Sequence, residues 1–183
     1  MVGSNETTAP IIEDAYARFV VILDRLLAQK GYVLGARPSS ADFAIFGQMT
    51  QLGIIEPTSA KITRDISARV RAWLDRMEDL SGFSSKEDDW FDVATIKEAL
   101  GPLLTEIGRT YTPVMLANAK AVMAGEKTFE TSVDGAPWTQ PTFKYQAKTF
   151  GWIREAYFDL KFKDQKRVDD ILAGTGCEAL FET

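Results

Sequence analysis

Cys177 is the only thiol in the chain, and no histidine occurs anywhere in its 183 residues. Together these facts limit the available chemistry. They exclude Ser-His-Asp and Cys-His nucleophiles and His-ligated zinc, and a lone cysteine cannot build a thiolate metal site. Cys177 could serve as a nucleophile if a helix N-terminus lowered its pKa, and Gly174-Thr175-Gly176 places it near one. The expectation is instead a small buried residue close to the C-terminus. Gly174-x-Gly176 follows no strand pattern and lacks the context of a phosphate-binding loop.

The carboxylates point the same way. Glu87, Asp88, Asp89 and Asp92 could be imagined around a hard cation. They lack the alternating spacing and the glycine of a calcium loop, so helix capping and solvation are expected, and no metal site. Glu13/Asp14 and Asp169/Asp170 are adjacent on helical patterns, where neighbours do not face each other, and read as surface charge. Glu106, followed by Gly108, Arg109 and Tyr111, interrupts an apolar region and is expected in a structural ion pair.

The elements that would position these residues are almost all helical. Ile12, Tyr16, Phe19, Leu23, Leu26 and Leu27 recur at helical spacing from a Thr8 cap and Pro10 to Gly31. Ser39 and Asp42 form a capping box with Pro38 and Phe43 in the staple positions. Because Phe43 to Phe46 are apolar in every direction, that helix is expected to be buried and to run to about Leu52. Ile62, Ile66, Val70, Trp73, Leu74 and Met77 predict one further helix, closed by Gly82. The pattern Val93 to Ile107 predicts another, kinked or restarted at Gly101-Pro102, and a separate one runs from Thr112-Pro113 to Val122. Phe129, Thr131 and Val133 alternate up to Asp134-Gly135, which predicts a β-hairpin near residues 128–140 with Trp138 on the return strand. Helices over about 142–160 and 164–174 complete an all-α fold with this one hairpin. The whole chain, 1–183, reads as a single helical domain, with a core over 11–82 and an extension over 93–183.

The block Gly35-Ala36-Arg37-Pro38-Ser39-Ser40-Ala41-Asp42-Phe43, followed by Val70-Arg71-Ala72-Trp73-Leu74-Asp75-Arg76-Met77, resembles the C-terminal all-α domain of the glutathione transferases. Gly174 to Phe181 is similar to the end of bacterial members with a long C-terminal extension. The resemblance implies a helical bundle that shapes an apolar substrate pocket and a dimer, with Ser39 and Asp42 as a structural capping box. It offers Tyr16, Phe19, Tyr111 and Met115 as candidates for the pocket wall. It also implies what is missing: no βαβ pattern precedes Ile11, so the thioredoxin-like domain that holds glutathione is expected to be absent, by truncation or, as the alternative, because the chain is a stand-alone derivative. Glutathione would be a ligand only with that domain present, and the chain alone is expected to be inactive, with no cofactor. Two alternatives stand beside this reading. One is a non-catalytic protein–protein interaction module; the other is a carrier of a small apolar ligand beneath the Trp138 hairpin.

Composition narrows the partners. A net charge of −5 with 45% hydrophobic residues is that of a globular protein with no attraction for phosphate backbones. Lys161, Lys163, Lys166 and Arg167 are interleaved with Asp159, Asp164, Asp169 and Asp170 and read as a solvated charged face. Asn5-Glu6-Thr7 matches a glycosylation acceptor, but no signal-peptide pattern precedes it. The expectations are a cytoplasmic protein with no nucleic-acid or membrane partner. A homo-oligomer is expected, with a thioredoxin-like domain or partner subunit as a further possibility.

Overall fold

The computed structural model of the protein describes residues 4–182. Among the described residues there are seven α-helices and one two-stranded antiparallel sheet: α1 (Ala9–Lys30), α2 (Ser40–Thr50), α3 (Pro57–Ile66), α4 (Ala68–Glu78), α5 (Val93–Ala124), β1 (Thr128–Val133), β2 (Ala136–Pro141), α6 (Lys144–Phe158) and α7 (Phe162–Leu172). The mostly helical architecture with a single hairpin is thus as the sequence predicts. The chain divides into two compact units. One is Glu13–Leu103; the other takes in the residues up to Ile12 and those from Leu104 onward.

The Glu13–Leu103 unit is built on large side chains. Val20 and Leu23 of α1, Met49 of α2, and Val70, Trp73 and Leu74 of α4 are fully buried in one cluster. Helix α1 ends as expected, with Gly31 at φ +93° and its N–H on the Leu27 carbonyl. Helix α2 does not stop at Thr50 but widens into a π-helical turn, Gln51–Ile55. A Cβ on Gly53 would lie 2.8 Å from Leu74 Cδ1, so this glycine lets α4 pack against the wide turn.

Three expectations need correction here. The single helix expected over Ile62 to Met77 is two. Ser67 is extended (φ −148°, ψ 108°), caps α4 by accepting from Val70 N, and donates from Oγ to Asp24 Oδ1 at 2.5 Å. Apolar periodicity runs straight through the break and hides it. The start of α2 is not wholly buried either: Phe43 is 52% exposed and Ala44 is exposed too. Thirdly, α1 is capped earlier than expected. Asn5 Oδ1 accepts from Thr7 N and Thr8 N while Thr8 Oγ1 accepts from Asn5 N, so Asn5 is the cap and Thr8 its reciprocal partner.

Helix α5 continues through Gly101-Pro102 and Pro113 as one helix of 32 residues, where a break was expected. Thr110 Oγ1 donates to the Glu106 carbonyl, so a side chain serves a backbone acceptor just ahead of Pro113. The hairpin turns at Asp134 (φ 52°) and Gly135 (φ 78°), the two left-handed residues of a type I′ turn. Thr131 pairs with Trp138, so Phe129, Val133 and Trp138 share one face and pack with Val114 and Ala121 of α5.

Candidate functional site

The chemistry-bearing residues are occupied in holding the fold. Cys177 is buried; its thiol donates to the Leu104 carbonyl at 3.1 Å, and burial pushes its pKa up, which opposes thiolate formation. Thr175 sits beside it and accepts from Cys177 N at 3.2 Å. Gly176 takes φ +85° and packs on Gly108 of α5, where a Cβ would lie 2.0 Å from the Thr175 carbonyl. The Gly-Thr-Gly sequence is therefore a close backbone crossing.

Two carboxylates of the acidic connector cap backbone amides. Asp89 Oδ2 accepts from Lys86 N at 2.7 Å, and Asp92 Oδ1 accepts from Thr95 N at 2.8 Å, which holds the Asp92 carboxyl below its ordinary range. Among the described residues no group of three or more His, Cys, Asp or Glu could hold a metal ion. Arg109 pairs with Asp134 in the hairpin turn.

Asp42 is fully buried and its carboxylate is used completely. Oδ2 accepts from Ser39 N (2.9 Å) and Ser39 Oγ (2.6 Å), and Oδ1 reaches outside the helix to Val33 N (2.9 Å). One acidic residue thus starts α2 and pins the loop before it. That loop is held from its other side as well. Ala36 N donates to Asp89 O, Phe91 N donates to Leu34 O, and a Cβ on Gly35 would stand 2.1 Å from Asp89 O. Arg76 completes the frame, donating from Nη2 to the Gly31 carbonyl while lying over the Tyr32 ring.

The four pocket candidates fall in two pairs. Tyr16 and Phe19 belong to the Glu13–Leu103 unit, and Tyr111 and Met115 to the other. The Tyr16 hydroxyl shares a hydrogen bond with Thr63 Oγ1 at 2.7 Å and lies 3.6 Å from the Met49 sulfur. Burial raises its pKa, so it stays a neutral phenol, tied to α3. Phe19 packs against the core. Tyr111 is partly exposed with its hydroxyl 3.8 Å from the sulfur of Met115, which is itself fully buried. Leu23, grouped with Tyr16 and Phe19 in the apolar stripe, is fully covered within the chain.

No family model, curated protein or solved structure matches this chain. Two exposed apolar stretches stand out among the described residues. On the Glu13–Leu103 unit, thirteen residues from Phe43 to Ile55 contain no charge, and Phe43, Leu52, Ile54 and Ile55 are exposed, Ile55 by 63%. Ile54 and Ile55 are the exposed end of the π-helical turn. On the other unit, α6 buries no residue fully and exposes Tyr145 and Trp152, stacked edge to face at 6.2 Å. Three cavities of about 360–400 Å³ are shallow surface depressions. One is apolar, between Ala17, Val21 and Ile22 of α1 and Ile66; the others lie against Thr139–Phe143 and between Tyr157 and Glu178.

Sequence reading missed Asn118. Its amide is fully buried, donates to the Phe143 carbonyl at 3.0 Å and accepts from Phe143 N at 2.8 Å, and so fixes where α6 begins. A lone amide among Ala117, Ala119 and Ala121 was the available signal.

Proposed function

We propose that this chain is a helical domain of the glutathione transferase C-terminal type that acts as a non-catalytic association module, pairing with a second copy through the Phe43–Ile55 surface. The observation that carries the reading is that surface itself. Thirteen uncharged residues begin directly after the buried Asp42 and end in a π-helical turn with two isoleucines outward. A chain of net charge −5 repels its own copy over most of its area. A patch without charge is where two copies approach freely, and a patch that meets itself across a two-fold axis needs no separate complement.

The family part of the proposal rests on what the resembling residues do. Asp42, Ser39, Gly35, Trp73, Arg76 and Met77 are all used inside one framework: box, backbone crossing, core and helix clamp. That division of labour fits a domain that supplies shape while the chemistry of thiol transfer resides in a thioredoxin-like partner domain. A cytoplasmic setting accords with the buried free thiol of Cys177. Two measurements on the purified chain test the proposal. Conjugation of glutathione to a generic aryl halide should stay at the uncatalysed rate, and light scattering at micromolar concentration should give at least twice the 20.3 kDa chain mass. Catalysed conjugation, or a monodisperse monomer, overturns it.

A further inference from the structure

We propose that the outer ridge of α6 and the corner leading into α7 form a peripheral contact with an anionic lipid bilayer surface. This goes beyond the association module and does not depend on it, because the residues lie in the other unit.

The ridge runs against the usual order of an amphipathic helix. Gln146, Phe150, Arg154 and Tyr157 occupy the half-buried inner side, whereas Tyr145, Lys148 and Trp152 lie along the outer one. Phe143 leads into this line and Phe158 and Phe162 follow it; Phe162 is 83% exposed and Trp152 47%. Tyr145 stacks on Trp152, and Lys148 Nζ lies 4.9 Å from the Trp152 ring centre. Aromatic rings with a polar tip, flanked by lysines, suit the boundary between headgroups and acyl chains.

Charge selects the occupant. From Phe143 to Lys163 the chain carries Lys144, Lys148, Arg154, Lys161 and Lys163 against Glu155 and Asp159, a net +3 in a protein of net −5. Arg154 is partly spent on the Leu180 and Glu182 carbonyls. Beyond Lys163 the excess ends, since Asp164 pairs with Arg167 and Asp169 accepts from Tyr157. The aromatic stretch thus carries a local excess of positive charge, and four of its five cations are lysines. A fluid anionic surface accepts projecting rings and flexible lysines without a complementary groove, which a folded protein partner would have to supply. Among the described residues no helix is long and apolar enough to cross a membrane, and a contact of this kind requires none.

The test is flotation of the full chain with phosphatidylcholine vesicles, with and without phosphatidylserine. Binding is expected to the anionic vesicles only, weakening as salt is raised. Trp152→Ser combined with Phe162→Ser should reduce it by about tenfold or more. Lys144→Glu with Lys148→Glu should do the same and keeps the test open if the first pair disturbs folding. No flotation, equal binding to neutral vesicles, or binding untouched by both pairs overturns the proposal. So does capture by a single-stranded oligonucleotide without any vesicle binding.

Discussion

The unit Glu13–Leu103 and the unit that begins again at Leu104 are held by different means. The first buries Trp73, Leu23, Leu26, Met49 and Leu74 at 2% exposure or less around a carboxylate with no free oxygen. The second has a small cluster under the hairpin, and its helix α6 keeps its aromatics outside. Position there comes from hydrogen bonds instead: Asn118 to the Phe143 backbone, Arg154 to two C-terminal carbonyls. A large apolar core resists local opening, whereas a helix placed by a few exposed or half-buried hydrogen bonds opens more readily. The difference separates a unit held by its core from one whose outer helix is held at its ends.

The largest effect should come from the carboxylate. Asp42→Ala leaves Val33 N and Ser39 N without acceptors in the interior, and should lower unfolding stability by about 3 kcal/mol. Urea denaturation measures this, and a loss within experimental scatter would remove Asp42 from its place in the frame. Next are the backbone crossings, which both units share. Gly35→Ala and Gly108→Ala each drive a methyl into a carbonyl, at 2.1 and 2.0 Å, and each should cost roughly 2 kcal/mol. If only Gly35→Ala is costly, the second unit is looser in its backbone as well as its side chains. Amide hydrogen exchange sharpens the contrast further. Amides of α4 from Val70 to Met77 should exchange about tenfold or more slowly than those of α6, and equal rates would erase the distinction.

The smallest effect is electrostatic. Glu56 caps α3 by accepting from Ser59 N and Oγ at 2.7 Å, and these bonds lower its pKa. Its contribution is therefore present above the ordinary carboxylate range and lost as pH falls through the lowered folded value. Carboxyl NMR titration should place Glu56 below a typical exposed glutamate; a normal midpoint would contradict the cap.

The framework was legible in sequence where local chemistry dictates it. Ser39 and Asp42 announce a helix start, Asp134-Gly135 announces a hairpin, and Gly31 announces a helix end, because each needs only neighbours in the chain. What stayed hidden depends on distant partners. The break at Ser67 is fixed by Asp24, forty-three residues away. The passage of α5 through two prolines is decided by surroundings that periodicity does not encode. The outward turn of Phe43 was lost because an apolar run gives no direction when every position in it is apolar. For the same reason the candidate surface could be named only once the helices had faces.

That surface is the centre of the account, and charge is the most direct way to test it. Phe43→Glu with Ile55→Glu places two carboxylates per copy on the uncharged patch without touching the core. Sedimentation at micromolar concentration should then show the wild-type chain associated and the variant monomeric, with the same urea midpoint. Association that survives both substitutions would contradict the claim that the chain pairs through Phe43–Ile55.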